Sequence, residues 1–215
     1  MEITFVTDYV CPFCIVGKEL LERAIDRLGL DVQVTHHPIE LTEEPEPRVD
    51  TYHDEKRRER YKKLVEPGKA LGLDLKIPPN IIPRPYSRLA HEGWFYAKEH
   101  GAGKLYSDLV YKAYFIDEED IGELSVLADI AGKAGLNADE FRQALEEGTY
   151  KKVQRDAVKY AKEDLKVTSL PTLVINGKKI NFQEYTIDEA VRILQNGEHT
   201  TSKAGESCSI DGCCS

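Results

Sequence analysis

The spacing of apolar residues over the first forty positions predicts a β-α-β unit. "EITFV" alternates and is rich in β-branched and aromatic residues, which is typical of a short strand. From Pro12 to Leu28 the apolar positions share one helical stripe, and Gly29 supplies a stop signal. "LDVQVTH" follows as a second strand, with Leu30, Val32 and Val34 on one face. We therefore expect a parallel pair of strands covered by a helix.

Helical periodicity dominates the middle of the chain. A Pro- and acid-rich connector precedes the charged helix "DEKRRERYKKLV", which Pro67 is expected to break, and "KIPPNIIPRPY" has too many prolines for a regular helix. Asn137 and Glu140 form a predicted capping pair. Five further helices are predicted, at 87–99, 104–115, 123–132, 138–146 and 150–165.

Strand signals return near the end of the chain. "TLVI" and "KKINF" flank Asn176 and Gly177, the dipeptide that best accommodates a tight hairpin turn. Thr186 and Glu189 form a capping box at the start of a last amphipathic helix. The small, polar residues that follow are predicted to form a flexible tail. The predicted order is β-α-β, helical insertion, β-β-α and tail, which is an α/β arrangement.

Composition and charge narrow the class of partner. Of the 215 residues, 41% are hydrophobic and 31% are charged, and the net charge is −9, which argues against nucleic acid or an anionic membrane as a partner. No apolar run approaches the roughly 18 to 20 residues of a membrane span, and "MEITFVTDYV" lacks the features of a secretory signal. We expect a cytoplasmic protein, in which a permanent structural disulfide is not the default.

The "CPFC" motif carries the candidate chemistry. Cys11 falls at the junction of the first strand and helix, Pro12 fits the first helical position, and Cys14 lies in the first turn. A helix N-terminus stabilises an anion, so the Cys11 thiol should ionise more readily than an ordinary thiol. A single C-x-x-C can also be half of a zinc site or a pair of inert buried thiols. No second C-x-x-C and no H-x-x-x-H is present to complete a metal site.

These motifs together resemble the thioredoxin superfamily, and within it the DsbA-like branch, most closely the FrnE-type dithiol oxidoreductases. The resemblance rests on "CPFC" after the first strand, on "LAHEGWFYAKEHGAGKLYSDLVYKAYF" and "ELSVLADIAGKAGL", and on "TSLPTLVING" before the last helix. It implies that Cys11 is the nucleophile and Cys14 the resolving thiol. It also implies that Pro171 is a cis proline packed against them, with the backbone of Leu170 left to pair with an extended substrate. Pro12, Phe13 and Leu170 would then contact substrate.

The fold implied is a thioredoxin fold with a large all-helical insertion. Residues 1–43 and 166–199 would form a discontinuous thioredoxin-like domain, residues 44–165 the insertion, and residues 200–215 the flexible cysteine-containing tail. The implied substrates are disulfide-containing proteins or low-molecular-weight thiols, without a cofactor, and the insertion could supply a homodimer surface. Strongly oxidising relatives carry histidine where this chain has Phe13, so we expect a redox couple more reducing than the roughly −120 mV of DsbA.

The tail "ESCSIDGCCS" contains the other three cysteines. Cys208 and Cys213 enclose a turn-forming Asp-Gly dipeptide, and FrnE-type proteins have a similar C-x-x-x-x-C that acts as a second redox pair. Together with Cys214 the same thiols could instead hold a soft metal, or they could be exposed thiols without a role. Two functions remain as alternatives to the dithiol enzyme: a soft-metal or metalloid-binding stress protein, and a glutathione-dependent isomerase of the 2-hydroxychromene-2-carboxylate type. Such isomerases typically have serine at the position of Cys11.

Overall fold

The computed structural model describes residues 1–196 and the short strand at residues 208–209. The strands are β1 (Ile3–Thr7), β2 (Val34–Pro38), β3 (Ser169–Leu170), β4 (Thr172–Ile175), β5 (Lys178–Asn181) and β6 (Cys208–Ser209). The helices are α1 (Pro12–Leu28), α2 (Glu55–Tyr61), α3 (Val65–Ala70), α4 (Arg88–Glu99), α5 (Gly103–Phe115), α6 (Leu124–Lys133), α7 (Ala138–Glu146), α8 (Lys151–Glu163) and α9 (Ile187–Asn196). A 3-10 turn at Lys62–Leu64 joins α2 to α3.

Four strands form a mixed sheet in the order β2-β1-β4-β5. Strand β1 pairs in parallel with β2, with Ile3 opposite Val34, and antiparallel with β4, with Ile3 opposite Ile175. The predicted parallel pair is therefore confirmed. Strands β3 and β6 form a separate antiparallel pair.

Local signals determine the ends of several elements. Helix α1 begins at Pro12 and ends at Leu28 as predicted, and Gly29 closes it with a φ of 61°. The hairpin between β4 and β5 turns at Asn176 and Gly177, whose φ angles are 49° and 81°, as such a turn requires. Asn137 accepts hydrogen bonds from the first-turn amides of α7. Thr186 and Glu189 form the predicted capping box of α9.

Two predicted boundaries are wrong. Strand β2 begins only at Val34, because the amides of Gly29 and Leu30 are committed to carbonyls at the end of α1. Pro67 does not break a helix but lies within α3. Since Pro67 is in the first turn of α3, where amides have no partner within the helix, proline costs little there. The break between α2 and α3 lies at the 3-10 turn instead.

The helical segment packs on the sheet through one contiguous apolar core. On the β2 side, His37 Nε2 lies 2.8 Å from the carbonyl oxygen of Ala157 in α8. Near the end of β1, the rings of Tyr9 and Tyr111 meet with centroids 4.9 Å apart. The division into two domains at residues 43 and 166 stays a prediction. No helix in the described part of the chain is long and apolar enough to cross a membrane.

Candidate active site

The two cysteines of "CPFC" lie at the start of α1, directly behind the loop that follows β1. Cys11 is the N-cap residue, with φ −93° and ψ 115°, and Pro12 is the first helical residue. The Cys11 amide donates to the Asp8 carbonyl at 3.1 Å, and the Cys14 amide donates to the Cys11 carbonyl at 3.0 Å. Cys11 therefore stands at the N-terminus of α1, where the helix dipole favours an anion.

Both sulfur-bearing residues are fully buried. Cys11 and Cys14 have 0% exposure, and Phe13 between them has 5%. The Phe13 ring meets the edge of Tyr61 in α2, with centroids 6.2 Å apart. Pro12 is also buried. A disulfide substrate therefore reaches Cys11 only after the surrounding residues move.

Asp8 fixes the loop that carries Cys11. Its Oδ1 accepts from the Val10 amide at 3.2 Å, and its Oδ2 accepts from the Leu41 amide at 2.6 Å. His91 Nε2 lies 3.7 Å from Oδ1, at ion-pair rather than hydrogen-bond distance. Burial raises the pKa of Asp8, but the neighbouring His91 and the Leu41 amide more than offset it, so that pKa lies below its usual value. A buried carboxylate thus ties the dithiol loop to the segment after β2.

A cluster of aromatic and histidine side chains, contributed by β2 and by α4 of the insertion, packs against this loop. His36 stacks on Tyr9 with centroids 5.1 Å apart and packs against Trp94 at 4.6 Å. Burial and then repulsion from His91 hold the pKa of His36 well below its usual value, so the ring is neutral near pH 7. Burial raises the pKa of Glu40 to about 7, although Gln154 donates a hydrogen bond to its Oε1.

Tyr111 of α5 packs against the end of β1 and the loop that follows it. Its hydroxyl shares a short hydrogen bond with Thr7 Oγ1 at the end of β1. Burial first, and then the neighbouring Cys14 thiol, raise the pKa of Tyr111 well above its usual value. Tyr111 therefore stays protonated near pH 7.

Pro171 packs on the face of α1 that also presents Cys14. The Leu170–Pro171 peptide bond is cis. A Cβ atom built on Gly17 would lie 2.8 Å from Pro171 Cγ and 3.4 Å from the Phe182 ring. Because residues three apart share a helix face, Pro171 sits one turn beyond Cys14 on the same side of α1.

The residues before Pro171 pair with the tail. Leu170 lies opposite Cys208 and Ser169 opposite Ser209 in the antiparallel β3–β6 pair. This register brings the backbone of one tail cysteine to the strand that leads into Pro171. Cys213 and Cys214 lie outside the described residues. The predicted flexibility of the tail concerns residues that also lie outside them, and it stays a prediction. Among the side chains that the structure does describe, no group of three or more His, Cys, Asp or Glu could hold a metal ion.

Sequence reasoning missed the residues that surround the dithiol. Asp8 stands three positions before Cys11, and that proximity was the one available signal. His91 and Tyr111 lie in helices of the insertion, about 80 and 100 positions after Cys11 in the chain. No local sequence motif indicates that they contact the dithiol loop. Tyr61 reaches Phe13 in the same way.

Comparison with known proteins identifies the family. The model of the DsbA-like thioredoxin domain matches residues 2–193. The chain belongs to this family of DsbA-like thiol oxidoreductases. YwbO of Bacillus subtilis, described as an uncharacterized protein, is 39% identical over 176 residues, which is 81% of this chain and 86% of that protein.

Solved structures agree on the fold. The probable DsbA oxidoreductase of Streptomyces coelicolor has a TM-score of 0.76 at 24% identity, with 96% of this chain and 94% of that chain covered. The cytosolic disulfide reductase DsbM of Pseudomonas aeruginosa has a TM-score of 0.70 at 14% identity, with 92% and 98% covered. The predicted α/β class, a thioredoxin fold with a helical insertion, is therefore confirmed.

Proposed function

We propose that this protein is a thiol-disulfide oxidoreductase in which Cys11 is the nucleophile and Cys14 the resolving thiol. The observation that carries the proposal is the position of Cys11 as the N-cap of α1, with Cys14 in the first turn. One further feature supports it: Pro171 packs against the same helix face. These features suit a dithiol that alternates between thiolate and disulfide.

The reaction takes place in two exchanges. The Cys11 thiolate attacks one sulfur of a substrate disulfide, a mixed disulfide forms, and the other substrate sulfur leaves as a thiolate that takes up a proton. Cys14 then loses its proton to solvent and attacks the Cys11 sulfur. The mixed disulfide breaks, the second substrate thiol is released and a Cys11–Cys14 disulfide remains. Two electrons have passed to the substrate, and a low-molecular-weight or protein thiol restores the dithiol.

The same proposal includes the cellular setting and the substrates. We infer action in the cytoplasm on protein disulfides or low-molecular-weight disulfides, as an enzyme of the FrnE type. The proposed direction of electron flow is from the dithiol to the substrate disulfide. The description of DsbM as a cytosolic disulfide reductase supports this direction. Phe13, which offers neither charge nor a hydrogen-bond donor, supports a couple more reducing than that of DsbA.

We further propose that Cys208 and Cys213 form a second redox pair that exchanges with Cys11. The antiparallel pairing of Cys208 with Leu170 supports this role, because it brings the tail backbone to the strand that leads into Pro171. In such an exchange the Cys11–Cys14 disulfide is reduced as the Cys208–Cys213 disulfide forms, so electrons and protons balance within the chain. Pro12, Phe13 and Leu170 are proposed as substrate contacts once the site has opened.

Insulin reduction with a thiol donor tests the dithiol mechanism. We expect Cys11→Ser to abolish activity and Cys14→Ser to reduce it strongly, because the mixed disulfide can then be resolved only by an external thiol. Cys214→Ser is the matched control, since it removes a thiol that belongs to neither of the two proposed redox pairs. Full activity of Cys11→Ser would exclude the mechanism.

A further inference from the structure

The strand that leads into Pro171 already has a partner in this structure. Side-chain hydrogen bonds hold β3 to the neighbouring sheet: Ser169 Oγ donates to Asn181 Oδ1 at 2.7 Å, and Thr172 Oγ1 donates to the Ser169 carbonyl at 2.7 Å. Among the described residues, β6 is the strand that pairs with the backbone of β3. The tail thus adds a strand to an edge of β3, as an extended peptide would do in strand addition.

One edge of a strand accepts one partner at a time. The backbone groups of β3 that pair with Cys208 and Ser209 are not available to a second extended segment. The edge lies next to the dithiol helix, because Pro171 directly follows Leu170 and packs at Gly17. A peptide disulfide that binds along β3 on its way to Cys11 therefore has to displace β6.

The chain length makes the tail an effective competitor. The residues from Gly197 to Cys208 can span roughly 36 to 40 Å, which is more than enough to reach β3 from the end of α9. A segment tethered in this way has an effective concentration on the order of millimolar. The pairing covers two residues on each strand, so a substrate that pairs over a longer segment can replace it.

We propose that β6 is a tethered competitor of extended peptide substrates at the edge of β3. The tail then has two separable properties: its backbone occupies the edge, and its thiols exchange with Cys11. This inference rests on the proposed function, but it concerns the backbone of the tail and is independent of the tail cysteines. A substrate that binds weakly along β3 cannot occupy this edge until the tail has been displaced.

Truncation after Asn196 separates the two properties when it is compared with a full-length variant in which Cys208, Cys213 and Cys214 are all serine. For a peptide with one internal disulfide, we expect truncation to lower KM about threefold to tenfold, since it removes a competitor at millimolar effective concentration. The serine variant keeps the strand and lacks only the thiols, so its KM should stay at least threefold above that of the truncated chain. Equal KM values for all three proteins would overturn the proposal, and so would a serine variant that behaves like the truncation, because the thiols would then be the cause.

Two further measurements test the proposal, and the first of them does not depend on turnover. Hydrogen exchange over residues 166–173 should be faster in the truncated chain, whereas the exchange of α1 serves as the internal reference for folding. A synthetic peptide of residues 204–215, with serine at its three cysteine positions, should inhibit the truncated enzyme competitively with an inhibition constant of roughly 0.1 to 0.5 mM, because the KM effect requires an effective concentration about two to nine times that constant. Unchanged exchange and no inhibition would contradict the proposal.

The failure of this inference is distinguishable from failure of the proposed function. If Cys11→Ser retains full insulin reduction, the dithiol mechanism fails. If Cys11→Ser is inactive but truncation changes neither KM nor hydrogen exchange, the dithiol mechanism stands and only the role of β6 is refuted.

Discussion

Pro171 and Gly17 are packed so closely that a single methyl group does not fit between them. A Cβ atom on Gly17 would lie 2.8 Å from Pro171 Cγ, well inside ordinary van der Waals contact. Gly17 therefore lets the segment that contains Pro171 approach the dithiol helix.

We expect Gly17→Ala to lower both stability and activity. The added methyl group pushes Pro171 away from α1, and such overpacking typically costs about 1 to 3 kcal/mol. The free energy of unfolding in urea and the rate of insulin reduction measure the two effects. Gly132→Ala in α6 is the matched control: its nearest neighbour would lie 3.9 Å away, so it should be neutral or slightly stabilising. A Gly17→Ala variant as stable and as active as this control would contradict the packing argument.

The thiolate of Cys11 should be less stabilised than that of strongly oxidising relatives. The Phe13 ring is buried against Tyr61, and a phenyl ring has no hydrogen-bond donor to offer a thiolate. We therefore expect the pKa of Cys11 to lie well above the roughly 3.5 of DsbA, and the reduction potential below about −120 mV. Phe13→His should lower that pKa and raise the potential. Thiolate absorbance, followed against pH with serine at the other four cysteines, measures the pKa; a wild-type value near 3.5 would refute the prediction.

Asp8→Asn should loosen the loop that carries Cys11. An amide in place of the carboxylate can satisfy only one of the Val10 and Leu41 amides, and an unsatisfied buried donor costs about 1 to 3 kcal/mol. We expect a lower free energy of unfolding at pH 7 and a lower kcat. Asp50→Asn is the control, because Asp50 also accepts from two backbone amides but lies in an exposed turn. Equal losses in the two variants would show that Asp8 has no special role.

His36 should make the protein less stable as the pH falls below about 6.5, the usual pKa of histidine. Burial and repulsion from His91, His37, Lys18 and Lys98 lower the pKa of His36 in the folded state. The unfolded chain then binds a proton that the folded chain does not, so the contribution of His36 to stability is present above pH 6.5 and is lost below it.

His36→Phe isolates this contribution, since it keeps an aromatic ring between Tyr9 and Trp94. The fall in unfolding free energy between pH 6.5 and 5.5 should be smaller in the variant by up to about 1.4 kcal/mol. Glu40, whose pKa is raised to about 7, acts with the opposite sign in both proteins, so the difference between them is the relevant quantity. Falls of equal size in the wild type and in His36→Phe would contradict this account of His36.

The sequence predicted those parts of the fold that local chemistry determines. Helix α1 follows from its apolar stripe, from Pro12 at its start and from Gly29 at its end. The β4–β5 hairpin follows from Asn176 and Gly177, which accept positive φ angles. Cys11 and Cys14 were located because their positions relative to α1 are themselves local.

The rest depends on contacts between distant residues. His91 and Tyr111 belong to helices of the insertion, and their positions near Asp8 and Thr7 follow only from how those helices pack on the sheet. Strand β6 has no alternating pattern, since two residues are too few to show one. Its pairing with Leu170 becomes visible only in the folded chain.

Trapping of the mixed disulfide tests the central claim most directly. Cys14→Ser, with serine also at the three tail cysteines, leaves Cys11 as the remaining thiol of the chain. Incubated with a peptide disulfide, this variant should form one covalent adduct, and mass spectrometry should locate it at Cys11. A folded variant that forms no adduct under conditions in which the wild type reduces the same peptide would contradict the assignment of Cys11 as the nucleophile.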